Sequence, residues 1–484
     1  MSYVLGHLEP SKLFTYFEEL TRIPRGSGNE KEVSDYLVKF AKDRNLEVYQ
    51  DNALNVLIKK PGTQGYENSP AVIIQGHMDM VNEKNKDTVH DFDKDPLKLR
   101  VVDDYIYASG TTLGADNGIA VAMGMALLDS NDIPHPPIEV LVTSEEETGM
   151  GGAMNLDTSH IDGSLLINID SEEEGTLLVS CAGGVRVRHV LPLEWTSNEN
   201  SASYEIQIRG LKGGHSGMEI IKGRGNSNKI MGRLLFELSK TLNFNLAEVS
   251  GGSKMNAIPR EADALISITN TELSTLEKFI KEFEATLKAE LRAVDPDISI
   301  SLVKVEKNLE SVLTPDCLQK VISSLVLMPN GIQTMSADIE GLVESSTNVG
   351  VVTFTKETLT CESAVRSSVK SLKYYILNQM KTLASTVGGN LEYDSDYPEW
   401  EYNPTSTLRD TFKAVYQKLY NKEVHISAIH AGLECGLLKE KLPNLDMISL
   451  GPNLYDVHTP DEHLSISSTQ RIWEYLKEVL KELK

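Results

Sequence analysis

The stretch Ala71-Val72-Ile73-Ile74-Gln75-Gly76-His77-Met78-Asp79-Met80-Val81 opens on a short apolar run and ends in a glycine, a histidine and an aspartate. Such a run reads as a buried strand in a sheet covered on both faces. Residues two apart on an extended strand point to the same side. His77 and Asp79 are therefore expected to face one site at the C-terminal edge of the sheet, where open α/β folds place their ligands. An imidazole beside a carboxylate suits a metal ligand with its orienting partner. It suits a satisfied polar pair at a strand end equally well, so the neighbouring segments must decide.

The pattern repeats along the chain. Ile138 to Thr143 reads as a strand and runs into Ser144-Glu145-Glu146-Glu147-Thr148-Gly149. Three adjacent carboxylates repel unless cations compensate them; a solvated acidic loop is the plainer alternative. Leu165 to Ile169 is another apolar strand, and Asp170 follows it. Asp116 sits in Gly114-Ala115-Asp116-Asn117-Gly118, directly ahead of an apolar helix from Ile119 to Leu128. Helix capping accounts for an aspartate there, but not for the surrounding glycines. His458 lies in Asp456-Val457-His458-Thr459-Pro460-Asp461-Glu462, after the strand Met447 to Leu450. Hard oxygen donors mixed with imidazole suit zinc, manganese or cobalt. A shared carboxylate can hold two such ions ~3.5–4 Å apart. The residues thus point to a dinuclear hydrolase site.

The chain has 484 residues, enough for about two to four domains. With 40% hydrophobic and 24% charged residues it is expected to be globular rather than disordered. A net charge of -23 disfavours nucleic acid or an anionic membrane as partner. Cys181, Cys317, Cys361 and Cys435 are scattered, which predicts reduced thiols in a cytoplasmic compartment. Residues 1 to 10 lack the basic and apolar regions of a signal peptide, and no apolar run is long enough for a membrane span. Two helices are expected between residues 10 and 45, the first capped by Ser11. From about Val185 the composition shifts to an α+β pattern that continues to about Asp396, and its two halves hint at related units. From Tyr397 the α/β pattern returns. The fold expected is α/β: a discontinuous catalytic domain, 1–185 and 397–484, with an inserted α+β domain, 186–396.

The ordered set of motifs resembles the M20 metallopeptidases. It comprises Gly76-His77-Met78-Asp79, Gly114 to Gly118, Glu146-Glu147-Thr148-Gly149, Asn168-Ile169-Asp170, Gly214-His215-Ser216-Gly217 and His458 to Glu462. Asn256-Ala257-Ile258-Pro259-Arg260 and His430 to Gly436 look most like the bacterial aminoacyl-histidine dipeptidases, also called peptidase D or Xaa-His dipeptidases. Each motif alone is weak; their order over nearly the whole chain is specific.

The resemblance implies two zinc ions per subunit, with manganese or cobalt as possible substitutes. Asp116 would bridge them, His77 and Asp170 would complete one site, and Glu147 and His458 the other. Thr148-Gly149 aligns the family's Glu-Glu pair with Glu146 and Glu147, leaving Glu145 spare. Glu146 would be the general base for metal-activated water. Asp79 would support His77. His215, in the inserted lid and dimerisation domain, would donate to the tetrahedral oxyanion. The substrate carboxylate would be met by Arg366 and Asn256, and its ammonium by Glu434. The implied protein is a cytoplasmic metallo-dipeptidase, homodimeric through the inserted domain, that cleaves unblocked dipeptides including Xaa-His. The alternatives are an N-acyl amino acid deacylase, a tripeptidase, or a non-catalytic binding protein on the same scaffold. His90, His135, His160, His189, His425 and His463 read as surface or core histidines.

Overall fold

The strand Val72–His77 is buried along its whole length. It forms in the computed structural model, which describes residues 3–200, 202–306 and 309–484. Its β-branched residues Val72, Ile73 and Ile74 are at most 1% exposed, and each contributes roughly 1.5–3 kcal/mol by leaving water. The strand lies parallel between Ile138–Thr143 and Leu165–Asn168, with His77 opposite Thr143 and Gln75 opposite Asn168. Asp446–Ser449 extends the parallel run on the far side of Leu165–Asn168. Adjacent parallel strands end on the same edge. That register brings His77, the Ser144–Gly149 turn and Asp170 to one place.

The full sheet has eight strands, with Glu47–Gln50 and His425–Ile429 at its ends. The helix Ala115–Leu128 packs on it and is apolar on nearly every face, as a helix enclosed by a core must be. A smaller sheet runs in the order Leu454–Tyr455, His463–Ser465, Tyr105–Ala108, Leu99–Val102. It holds both ends of the loop that carries His458. The first helix, Ser11–Leu20, departs from expectation at its start. Ser11 is not its cap: Pro10 holds that position, and the Glu9 carboxylate accepts the Ser11 N–H at 2.9 Å.

The chain divides into two units. The first comprises Met1–Ser180, Tyr402–Ala428 and Leu433–Lys484; the second comprises Cys181–Glu401 and Ile429–Gly432. The second unit is an antiparallel nine-stranded sheet with helices Ser227–Thr241, Leu273–Glu290, Pro315–Leu327 and Lys370–Thr386. Its strand path joins two groups of four at a narrow seam, where Asn245–Gly251 meets Val343–Phe354 through Gly251 and Val352. Their apolar faces share one core that includes Ile206, Leu234, Val321, Val365 and Met380. The expected α/β fold class is the observed one; in place of the single insertion expected over 186–396, the second unit runs over Cys181–Glu401 and also takes in Ile429–Gly432. Among the described residues no helix is long and apolar enough to cross a membrane. The four cysteines are buried.

Candidate active site

Asp116 stands at the centre of the first unit's polar cluster. Its Oδ1 lies 3.2 Å from His77 Nε2, and its Oδ2 lies 3.1 Å from His458 Nε2. His77 Nε2 is also 3.4 Å from Asp170 Oδ1, and His458 Nε2 is 3.0 Å from Glu147 Oε2. Three overlapping groups have all their donor atoms within 4.8 Å: His77–Asp116–Asp170, His77–Glu146–Glu147 and Asp116–Glu147–His458. The helix-capping reading of Asp116 does not hold. Gly114 is the cap residue, in the left-handed region at φ 65°, and Asp116 has non-helical backbone angles. Its carboxylate is thereby free to face both histidines.

Asp79 lies just past the end of the strand rather than on it. It stands behind the His77 ring, with Oδ1 3.3 Å from Nδ1, while Nε2 faces Asp116 and Asp170. The Asp79 carboxylate also accepts the Glu146 and Glu147 N–H groups at 3.1 and 3.2 Å and the Ser27 hydroxyl at 2.8 Å. It therefore holds the acidic turn while standing against the back of the ring. The third carboxylate of the triplet, Glu145, is exposed. Asn117 locks the same strand end: its Oδ1 accepts the His77 N–H at 3.2 Å and its Nδ2 donates to Ile169 O at 2.6 Å. A Cβ at Gly76 would lie 2.3 Å from that Oδ1, so only glycine fits.

The charges in this cluster do not balance. Burial pushes Glu146 up to about 9 and Asp170 up to about 6, with neighbouring carboxylates adding to both. Hydrogen bonds donated to Asp116 and Glu147 push His458 up to about 11. Burial opposes charge on His77, but Asp170 and Asp116 outweigh it and raise its pKa. Burial also works against the Asp116 anion, yet His458 and His77 hold its carboxyl well below the usual range. Acidic groups gathered around imidazoles in this way favour a positive charge among them, which a divalent cation would supply. Glu147 Oε1 is buried without a hydrogen-bond partner among the described residues. The donor set fits a pair of divalent metal ions.

Glu434 is 1% exposed. One oxygen accepts Gln75 Nε2 and the Thr143 hydroxyl, both at 2.7 Å; the other has no hydrogen-bond partner among the described residues. Burial pushes this carboxyl up to about 7.

The second unit holds a different cluster. His215 Nδ1 accepts the Gly217 and Met218 N–H groups at 3.3 and 3.1 Å. That leaves Nε2 as the protonated nitrogen of the neutral ring. Burial and then Arg366 lower the His215 pKa, which disfavours the charged ring. A Cβ on Gly217 would lie 3.1 Å from His215 Cε1, 3.2 Å from Arg366 Nε and 2.6 Å from His430 O. Arg366 donates from one terminal nitrogen to the Tyr397 hydroxyl at 2.8 Å, while its Nε and His430 Nδ1 are buried without hydrogen-bond partners among the described residues. Arg366 and Asn256 line one cavity of about 390 Å³. Sequence reasoning did not single out His430, Tyr397, Arg25 or Glu462 as site residues; the last two bind the backbone beneath the Asp116 cluster.

Comparison with known proteins follows this geometry. Residues 73–482 match the model of peptidase family M20/M25/M40. The chain is 38% identical over 480 residues to the cytosol non-specific dipeptidase of Escherichia coli, covering 99% of each protein. Aminoacylhistidine dipeptidase from Vibrio alginolyticus superposes with a TM-score of 0.96 at 37% identity, over 100% of this chain and 98% of that one. A tripeptidase from Staphylococcus aureus, at 17% identity and a TM-score of 0.55, covers 99% of both chains and shares the fold.

Proposed function

Because this chain belongs to peptidase family M20/M25/M40, we propose that it is a dinuclear zinc dipeptidase of the cytoplasm that cleaves unblocked dipeptides, Xaa-His among them. The observation that carries this reading is Asp116, whose two oxygens face one histidine each. His77, Asp116 and Asp170 would hold one ion; Asp116, Glu147 and His458 would hold the other. The bound metals supply Lewis acidity toward the peptide carbonyl and lower the pKa of water. Glu146 takes the proton of the attacking water and returns it to the leaving amine. Asp79 keeps His77 in one tautomer and the Glu146–Glu147 turn in one orientation. The His215 Nε2–H is a donor of the kind a tetrahedral oxyanion needs.

Dipeptide selection requires recognition of both charged ends. Arg366 and Asn256 suit the carboxylate, and the unpartnered oxygen of Glu434 suits the ammonium. The names of the two similar dipeptidases, from E. coli and Vibrio, support a dipeptide over an acylated amino acid. The proposal includes a homodimer through the second unit, to be read by analytical ultracentrifugation. The central experiment measures zinc content and turnover on one purified sample, before and after chelation, with dipeptides, tripeptides and N-acetyl amino acids. Zinc-dependent cleavage of dipeptides is expected. Cleavage of acetylated amino acids alone overturns the substrate assignment; full turnover after complete metal removal overturns the mechanism.

A further inference from the structure

His458 and Asp116 come from segments far apart in sequence; the pairing of His463–Ser465 with Tyr105–Ala108 sets those segments side by side but reaches neither residue. His458 lies at φ 62° and Asp456 at φ 51°, left-handed positions that the surroundings must hold. Glu462 joins the two segments beyond the end of that strand pairing. This carboxylate is 2% exposed. One oxygen accepts the Leu113 and Gly114 N–H groups at 2.7 and 3.0 Å; the other accepts those of Ala115 and Asp116 at 2.8 and 3.3 Å. The first N–H groups of a helix have no partner within it and favour negative charge. Here one carboxylate, four residues beyond His458, serves four N–H groups running up to Asp116.

Arg25 completes the arrangement from the other side. It is 2% exposed. One terminal nitrogen donates to Met78 O and Asp79 O at 2.9 and 3.2 Å, and the other donates to Gly114 O. A Cβ on Gly114 or Gly118 would lie 2.5 or 2.7 Å from that second nitrogen, so both glycines make room for the guanidinium. Arg25 thus ties the end of the His77 strand to the start of the Asp116 helix, and Glu462 ties that start to the His458 loop. Neither residue belongs to the groups that could hold a metal ion.

We propose that Arg25 and Glu462 are a pair of positioning residues that set the separation of His458 from Asp116, and with it the affinity of the Asp116–Glu147–His458 site for a divalent cation. The inference rests on the dinuclear reading and extends it to the groups that shape one of the two sites. Glu462→Gln keeps the size of the side chain but turns one acceptor into a donor facing backbone N–H groups.

The test is stepwise titration of the metal-free protein with Zn²⁺ against a competing chelator, repeated with Co²⁺ read by its visible absorption. Glu18→Gln is the control. Glu18 is also buried in the first unit and accepts two backbone N–H groups, from Val4 and Leu5, at 3.0 and 2.7 Å, and it belongs to none of the groups that could hold a metal ion. For Glu462→Gln, one equivalent is expected to bind as in the unaltered protein and the other about 10–100-fold more weakly. The fall in kcat should be reversed by excess Zn²⁺, with KM little changed. Glu18→Gln should lower Tm and leave both affinities alone. If Glu462→Gln does not fold, Glu462→Asp carries the test, because the shorter carboxylate cannot reach all four N–H groups. Two-step titration identical to the unaltered protein, or to Glu18→Gln, overturns the inference. An unaltered protein that takes up fewer than two equivalents overturns the dinuclear reading, and the inference with it.

Discussion

His458 in the first unit and His430 in the second are held in opposite ways. Asp116 and Glu147 push His458 up to about 11, whereas burial, then Arg366, pushes His430 down to about 4. The same contrast separates His77, raised among carboxylates, from His215, lowered by burial beside Arg366. One unit gathers acceptors and anions around its imidazoles, and the other gathers donors. Under the proposed function the first suits cations, metal ions and an ammonium, and the second suits a carboxylate, the two kinds of charge an unblocked dipeptide presents.

The acidic half of the comparison breaks most completely at Asp116. Asp116→Ala removes the carboxylate facing both histidines. Metal analysis is expected to show both equivalents weakened and turnover lowered by at least about 10⁴-fold. Two tightly bound equivalents in that variant would remove Asp116 as the bridge. Glu146→Gln sharpens the same half by separating chemistry from metal holding: kcat should fall about 10³-fold while zinc content stays near that of the unaltered protein. Retained turnover would take the proton-transfer role from Glu146.

The cationic half is tested at Arg366. Arg366→Lys keeps the charge but loses the planar fork that pairs with a carboxylate. KM for dipeptides is expected to rise about tenfold or more, with kcat changed less. Unchanged KM would mean that the recess of the second unit does not hold the substrate carboxylate, and the proposed division between the units would fail.

The parallel strands of the first unit were legible because each is a short apolar run ending in a polar group, and parallel register places those ends together. His77, Asp116, Glu147, Asp170 and His458 each carried a local mark: a strand end or a glycine-rich turn. Asp79 was legible as a partner of His77, but its grip on the Glu146 and Glu147 N–H groups was not, since that contact spans 67 and 68 residues. The contacts of Arg25 and Glu462 left no local mark, although Glu462 closes the motif that begins at His458. Their partners are backbone groups of distant segments, and a backbone group has the same chemistry whatever its residue. In the second unit, strands such as Asn390–Tyr397 and Ser299–Val305 escaped notice because they lie at the ends of the strand path. Their mostly exposed residues show little of the alternation that marks a half-buried strand.

A last expected effect, on stability in acid rather than on activity, concerns the second unit and follows from His189. This residue lies in the strand Gly183–Pro192, is 0% exposed, and has Nε2 3.0 Å from the Ser324 hydroxyl on the helix Pro315–Leu327. Burial pushes its pKa down to about 4, against about 6.5 in an unfolded chain. The unfolded state therefore binds more protons between those values, so stability rises with pH across that window. The contribution is fully present above pH 6.5 and is lost as pH falls toward 4. At pH 5 the loss is about 2 kcal/mol. His189→Gln retains a polar group for Ser324 and removes the titration. Hydrogen exchange in the strand Gly183–Pro192, compared at pH 7 and pH 5 after correction for intrinsic rates, should show a steeper loss of protection in the unaltered protein than in the variant. Metal-site groups titrate equally in both proteins and cancel in the comparison. Equal pH slopes would mean that His189 is not held neutral by the second unit's core, and the electrostatic contrast between the units would shrink to the surroundings of Arg366.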